Sequence, residues 1–444
     1  MRPVRSRSRR LPPLIIACAA LASVAVAAQW PSGPEHPAIA YSTSTPTDAV
    51  ARLQQQINAG SVTLEWTADH GYLPSVLRHL AVPISSQGLV FSRTSLQVDR
   101  ITPWTPRAVY FNDDVYVAWV QGGPMMEIAS ADPKLGAVFY TLTQQPSARP
   151  TFERQTHSCL QCHDSSSVTG GVPGFILRSV FADRYGYVIA PIGEGATTDR
   201  TAIEQRWGGW YVTGAPGGPR HVGNMISPRL GHEIGSPQAE LARLTLAAAG
   251  NVADLSGRFD VAPYLTPHSD IVALMVLAHQ TAVHNLITFA NFEARRALYD
   301  EEYLIREKGG VAGRHLDITI MHVEGAAERL VRAMLFTRSA PFAAPIQGTS
   351  SFAADFSARG PRDRAGRSLR DLDLKEQLFR YPLSYLIYSE DFDALPGITK
   401  AYVYRRLRAI LTGEDASPEF GHLSKADREA ILAILEETKP DFPR

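Results

Sequence analysis

Arg107-Ala-Val-Tyr-Phe111, Asn112-Asp-Asp114 and Val115-Tyr-Val-Ala-Trp-Val120 read as two strands and the turn between them. Both flanks are rich in β-branched and aromatic residues, and three polar turn formers separate them, the composition of an antiparallel hairpin. The pattern repeats outward. Met126–Ala129 and Ala137–Leu142 flank Asp132-Pro-Lys134, Phe175–Phe181 and Tyr187–Ala190 flank Asp183-Arg-Tyr-Gly186, and Trp210–Thr213 adds a strand. Ahead of them, residues 29–47 are rich in Pro, Ser and Thr and predict a flexible lead-in, with a short amphipathic helix over 48–58 closed by Gly60. The character changes near Gly235. Helices are predicted over 238–249, 269–308 (N-cap Ser269), 315–336, 372–388 (interrupted by Pro382), 398–411 and 424–437, the last opened by a Ser424…Asp427 capping box. Residues 339–370 read as a long polar loop, either a lid or poorly ordered. The expected fold class is α+β. A lead-in and short helix (29–65) precede a β-hairpin-rich part (66–235), and a mostly α-helical part (236–444) follows.

Between the hairpins stands Cys159-Leu-Gln-Cys162-His163, on a short helix predicted over 152–163. Two thiols three residues apart, followed at once by an imidazole, form the attachment pattern of a c-type haem. At that spacing both sulfurs reach the two vinyl groups on one edge of a porphyrin, and the next side chain falls beneath the iron as its axial ligand. The competing readings are a local Cys159–Cys162 redox disulfide and half of a zinc site. A closed zinc site wants four ligands, commonly from two such pairs, and the chain holds only 3 Cys. A thioredoxin-like pair would open a helix after a buried strand, whereas Pro146-Ser-Ala-Arg-Pro150 comes before this one.

The N-terminus agrees with the haem reading. Arg2, Arg5, Arg7, Arg9 and Arg10 form a basic segment, Leu14–Ala28 is apolar, and Ala25-Val-Ala27 is a candidate cleavage site. Residues 1–28 thus read as a signal peptide, since the apolar run is shorter than the ~20 residues a spanning helix needs. Ile15-Ile-Ala-Cys18 also resembles a lipobox, so the protein would touch a membrane only if lipidated at Cys18 or left uncleaved. The expected location is periplasmic. After cleavage Cys159 and Cys162 are the only cysteines, few for an exported protein. Net charge is zero, with 44 basic and 44 acidic residues, which gives no footprint for nucleic acid.

Locally, over about fifteen residues, the motif resembles the c-type cytochromes. The resemblance implies one covalent haem c, thioether bonds at Cys159 and Cys162, and proximal iron ligation by His163. Gly171-Val-Pro173-Gly looks like the Pro-containing loop whose backbone carbonyl orients the proximal imidazole in small cytochromes c, which makes Pro173 a candidate supporting residue. The mid-chain position and strand-rich surroundings depart from the small-cytochrome pattern, and no second haem motif is present.

The distal side decides between two functions. Met225 lies 62 residues after His163, and His221 sits in a Gly-rich stretch where backbone can approach a porphyrin closely, with Arg220 beside it to pair with a propionate. Either His221 or Met225 as distal ligand caps the iron, which suits an electron-transfer protein with a redox protein partner. An open iron position suits a haem-dependent oxidoreductase, peroxidase- or oxygenase-like, acting on a small oxidant with His221 and Arg220 as distal groups. Trp207-Gly-Gly-Trp210-Tyr211 reads first as core strand and second as pocket wall. His279 and His284 point about 140° apart on one helix, so they cannot share a metal. His279 continues an apolar stripe and reads as a satisfied core histidine. His315 and His322 share a helix face. Asp113 and Asp114 belong to the turn.

Overall fold

The 107–120 hairpin lies at the centre of a seven-stranded antiparallel sheet. A computed structural model describes residues 33–443 apart from 194, 219, 248–251 and 309–313, so the signal segment 1–28, Cys18 and the residues just after them lie outside the described residues. In chain order the strands are β1 (Gly88–Val90), β2 (Arg107–Phe111), β3 (Val115–Trp119), β4 (Met125–Asp132), β5 (Gly136–Thr143), β6 (Glu153–Arg154), β7 (Val180–Asp183), β8 (Val188–Pro191), β9 (Trp210–Tyr211) and β10 (Ile226–Ser227). The large sheet runs β6-β5-β4-β3-β2-β1-β9, and a small second sheet runs β10-β7-β8. The α-helices are α1 (Ala49–Asn58), α2 (Leu73–His79), α3 (Leu160–His163), α4 (Pro237–Ala247), α5 (Ile271–Lys308), α6 (Asp317–Met334), α7 (Phe352–Ser357), α8 (Glu390–Asp393), α9 (Gly397–Thr412) and α10 (Lys425–Thr438). The chain is α+β, with the large sheet in its N-terminal half and most helices in its C-terminal half.

Local polar chemistry builds the turns. The Asn112 side-chain oxygen accepts from the N–H groups of Asp114 and Val115 at 3.0 and 2.8 Å, closing the β2–β3 turn. Asp132 Oδ1 does the same for Lys134 and Leu135 between β4 and β5, while its Oδ2 accepts from Thr47 N at 2.6 Å. That last bond ties the lead-in to the sheet. The segment after residue 33 is therefore not the free linker its composition predicts. Ile39 and Tyr41 are buried, the Tyr41 hydroxyl donates to Ala137 O at 2.9 Å, and Arg154 donates to Tyr41 O and Ser44 O.

Period-two alternation splits the sheet into two faces. One face presents Ala108, Tyr110, Val117, Trp119, Met126, Ile128, Val138 and Leu142 to a core shared with α1 and α2. The other presents Phe111, Tyr116, Ala137 and Phe139 to α5 and the helices beyond it. That second core continues from the strands through α5, α6, α9 and α10 with no apolar break near residue 235.

α5 starts one residue later than predicted. Asp270 Oδ1 accepts from Val272 N at 2.8 Å, whereas Ser269 Oγ donates to Tyr211 O and accepts from Leu89 N. The helix predicted over 372–388 does not form. Asp373 Oδ1 gathers the N–H groups of Lys375, Glu376 and Gln377, Leu374 has φ +60°, and only a short 3-10 turn, Tyr385–Tyr388, is helical. Residues 339–370 are packed rather than lid-like, because α7 carries Phe352 and Phe356 into the core. Ser424 caps α10 as predicted, its Oγ accepting from Asp427 N at 3.1 Å.

Candidate functional site: the Cys159–His163 turn and the half-open sheet face

The predicted helix over 152–163 reduces to a strand, β6, and the single turn α3 with Cys159 at its N-cap. One turn is enough to set both thiols. Residues three apart on a helical turn are neighbours on one side, and His163 N donates to Cys159 O at 3.0 Å to close the turn. Cys162 is exposed, Cys159 is half-buried, and neither is in a disulfide. Burial, together with the nearby Glu127 charge, pushes the Cys159 thiol up to about 11. Redox-active CxxC pairs depress a thiol, the opposite direction from that at Cys159.

The imidazole of His163 is held firmly. Its ring packs 4.6 Å from Phe139 of β5, and Nδ1 lies 2.8 Å from Gly174 O. A carbonyl can only accept, so Nδ1 carries the proton and Nε2 keeps a lone pair. Burial also holds the His163 pKa below its ordinary value, which keeps the ring neutral. The backbone repeats the link, with Gly174 N donating to His163 O at 2.9 Å. Pro173 is one residue away from the orienting carbonyl, and its own carbonyl accepts from Ala137 N at 3.0 Å, fastening the loop to β5.

A residue that the sequence reading passed over secures this loop. Asn285, on α5, accepts from Phe175 N at 2.8 Å and donates to Phe175 O at 2.9 Å. Its sequence signal is one amide among several polar residues on a largely apolar helix. Gly174 makes room for it, since a β-carbon there would lie 2.5 Å from Asn285 Oδ1.

Beside the turn, the α5-facing side of the sheet opens. Val109, Ala118, Glu127, Ala129 and Ala131 share that side and are only half-buried. Arg107 pairs with Glu127 at 3.3 Å, and Gln97 Nε2 donates to Glu127 Oε1 at 3.1 Å. The floor is thus small and apolar with one ion pair at its edge.

His221 and Met225 are buried and Arg220 is exposed. The His221 ring meets Trp207 edge-on at 5.2 Å, and burial lowers its pKa to about 4. No ring contact or hydrogen bond joins His221 to His163 among the described residues. The nearby glycines serve packing: a β-carbon on Gly217 would strike Ala344 O, and one on Gly214 would strike Gln347 O. Trp207 and Trp210 are core residues. His279 is fully buried between Asp199 (2.7 Å) and Ser384 (2.8 Å), a satisfied core histidine. His284 bonds Asp391 and Asp113 O, and His315 and His322 pair with Glu301 and Glu293. Among the described residues no group of three or more His, Cys, Asp or Glu is placed to hold a bare metal ion. No known family model, curated protein or solved structure matches the chain.

Proposed function

We propose that the chain carries one covalent haem c and works as an exported, periplasmic electron-transfer protein. The observation that supports this best is the His163 ring, held by a carbonyl on Nδ1 with the Nε2 lone pair left for iron, one residue after Cys162. The residues present fit the group. Cys159 and Cys162 offer two thiols on one side of a turn and would hold the group through two thioether bonds. The small side chains of Ala118 and Ala129 leave a half-open apolar floor next to them. Haem, when bound, supplies a one-electron iron couple. The chain's share is to orient His163 through Gly174 and to fix that loop through Asn285 and Pro173. The basic segment and apolar run of residues 1–28 support export.

The test is an absorption spectrum of protein made with a c-haem maturation system, oxidised and reduced, with and without carbon monoxide. A low-spin spectrum indifferent to carbon monoxide is expected. No covalent haem would sink the proposal, and a high-spin spectrum that shifts with carbon monoxide would replace electron transfer with haem-dependent oxidoreductase chemistry.

A further inference from the structure

Ten large apolar residues stand exposed among the described residues, and five of them, Leu96, Val98, Trp104, Tyr185 and Tyr187, come from two adjoining loops. The loops are locked together. Trp104 packs 6.2 Å from Tyr185, Arg93 N donates to Gly186 O at 2.9 Å, and Arg93 Nε donates to Tyr185 O at 3.0 Å. Arginines lie over the rings, Arg93 4.1 Å from the Tyr187 centroid and Arg184 5.1 Å from that of Tyr185. Trp104 and Tyr187 are each 54% exposed, so their rings are held in place yet face water. A cluster of rigid aromatics with arginines is the composition of binding hot spots rather than of ordinary surface.

Two further observations say what covers it. The first is continuity with the candidate haem site. Gln97, between Leu96 and Val98, donates to Glu127, which lies on the α5-facing side of the sheet. The patch therefore adjoins the half-open sheet face. The second is charge. Arg100 and Arg184 are exposed and Arg93 half-buried, against the exposed Asp99, while Asp183 is buried and accepts from Tyr185 N and Tyr187 N, and Glu127 is half-buried and paired with Arg107.

We infer that this patch docks an acidic redox protein, with an apolar centre ringed by carboxylates, that exchanges electrons with the haem. The inference rests on the proposed haem reading and names its partner class. One electron leaves the ferrous chain for the partner's oxidised centre, and no bond is made or broken. Complementary charge steers the encounter, and the aromatic rings hold the complex.

The test uses the full haem-loaded chain and a small acidic blue-copper protein as electron acceptor, with the second-order rate read by stopped flow as salt is raised. Copper(II) becomes copper(I) as iron(II) becomes iron(III). A neutral quinone serves as a second acceptor, and Trp104→Ala and Arg184→Glu are compared with the parent. Expected are a rate that falls with salt, a loss of tenfold or more for either variant with the copper protein, and unchanged rates with the quinone. Equal copper-protein rates in parent and variants, with haem spectra intact, overturn the docking surface alone. Salt-independent rates, or tryptophan fluorescence that responds to anionic vesicles while protein rates stay fixed, overturn it in favour of a membrane-facing role. Absence of covalent haem overturns the underlying reading, and this inference with it.

Discussion

At the scale of single residues, the molecule depends on polar side chains placed where nothing else could satisfy the backbone. Asn285 is the clearest case. Its amide meets both backbone groups of Phe175, and each buried group left unpaired costs about 1–3 kcal/mol. Asn285→Ala is expected to lower stability by about 2–4 kcal/mol in urea unfolding, with Asn285→Asp, which keeps only the acceptor, in between. Equal stability of all three would remove Asn285 from the loop's support. His284 gives a pH signature. Its Nε2 faces the Asp113 carbonyl at 2.7 Å and its Nδ1 the Asp391 carboxylate at 2.7 Å, so both nitrogens are donors and the ring is charged. Burial opposes that charge, but Asp391 overrides it and holds the His284 pKa up to about 9. A raised pKa means the stabilisation is complete below the ordinary value of 6.5 and is lost as pH rises through about 9. About 3 kcal/mol should disappear between pH 6 and pH 10, and His284→Gln should flatten this dependence; an unchanged slope would contradict the ion pair. Both roles were hidden in the sequence, because a lone Asn or His on an apolar helix looks the same whether or not a partner 100 residues away meets it. The closeness of Cys159, Cys162 and His163 was legible because a single helical turn sets it.

At the scale of elements, hairpins were legible wherever one side chain makes the turn, as Asn112 and Asp132 do. Elements failed where long-range partners replaced ladder bonds. The predicted strand at 175–181 begins only at Val180, because Asn285 rather than a neighbouring strand satisfies Phe175. The apolar spacing of 372–388 looked helical, but Leu378, Phe379 and Leu383 enter the core from an irregular chain that Asp373 bends. The junction most sensitive to change is the start of β5. Gly136 has φ +71°, and a β-carbon there would strike Thr288 of α5 and sit 2.8 Å from Pro173 O. Gly136→Ala combines a disfavoured backbone with overpacking, for an expected loss of about 2–4 kcal/mol. Thermal unfolding checks this: the variant should melt several degrees lower, and an unchanged midpoint would mean that sheet, helix and proximal loop are not locked at this point.

At the scale of the whole molecule, composition suggested two halves that change character near residue 235, yet one apolar core crosses that boundary and gathers strands and helices alike. The organising piece is α5, which runs beside the sheet, meets α6 and α9, and carries His279, Gln280, His284 and Asn285 inside the protein. It is also long and apolar enough to cross a bilayer, with a mean hydropathy of 1.4 over its best stretch, although 89% of that stretch is buried in protein. On the proposed export route this creates a hazard before folding begins, when the segment threads the translocation channel as bare chain. The same four polar residues that later find partners in the core make lateral escape into lipid unfavourable at that moment. Replacing all four by leucine should leave the chain stranded in the membrane fraction and resistant to alkaline extraction, and a variant recovered free in the periplasm would refute this. The polar groups buried in α5 would then serve twice, once as anchors of the native core and earlier as the passport that lets the helix cross a membrane without stopping in it.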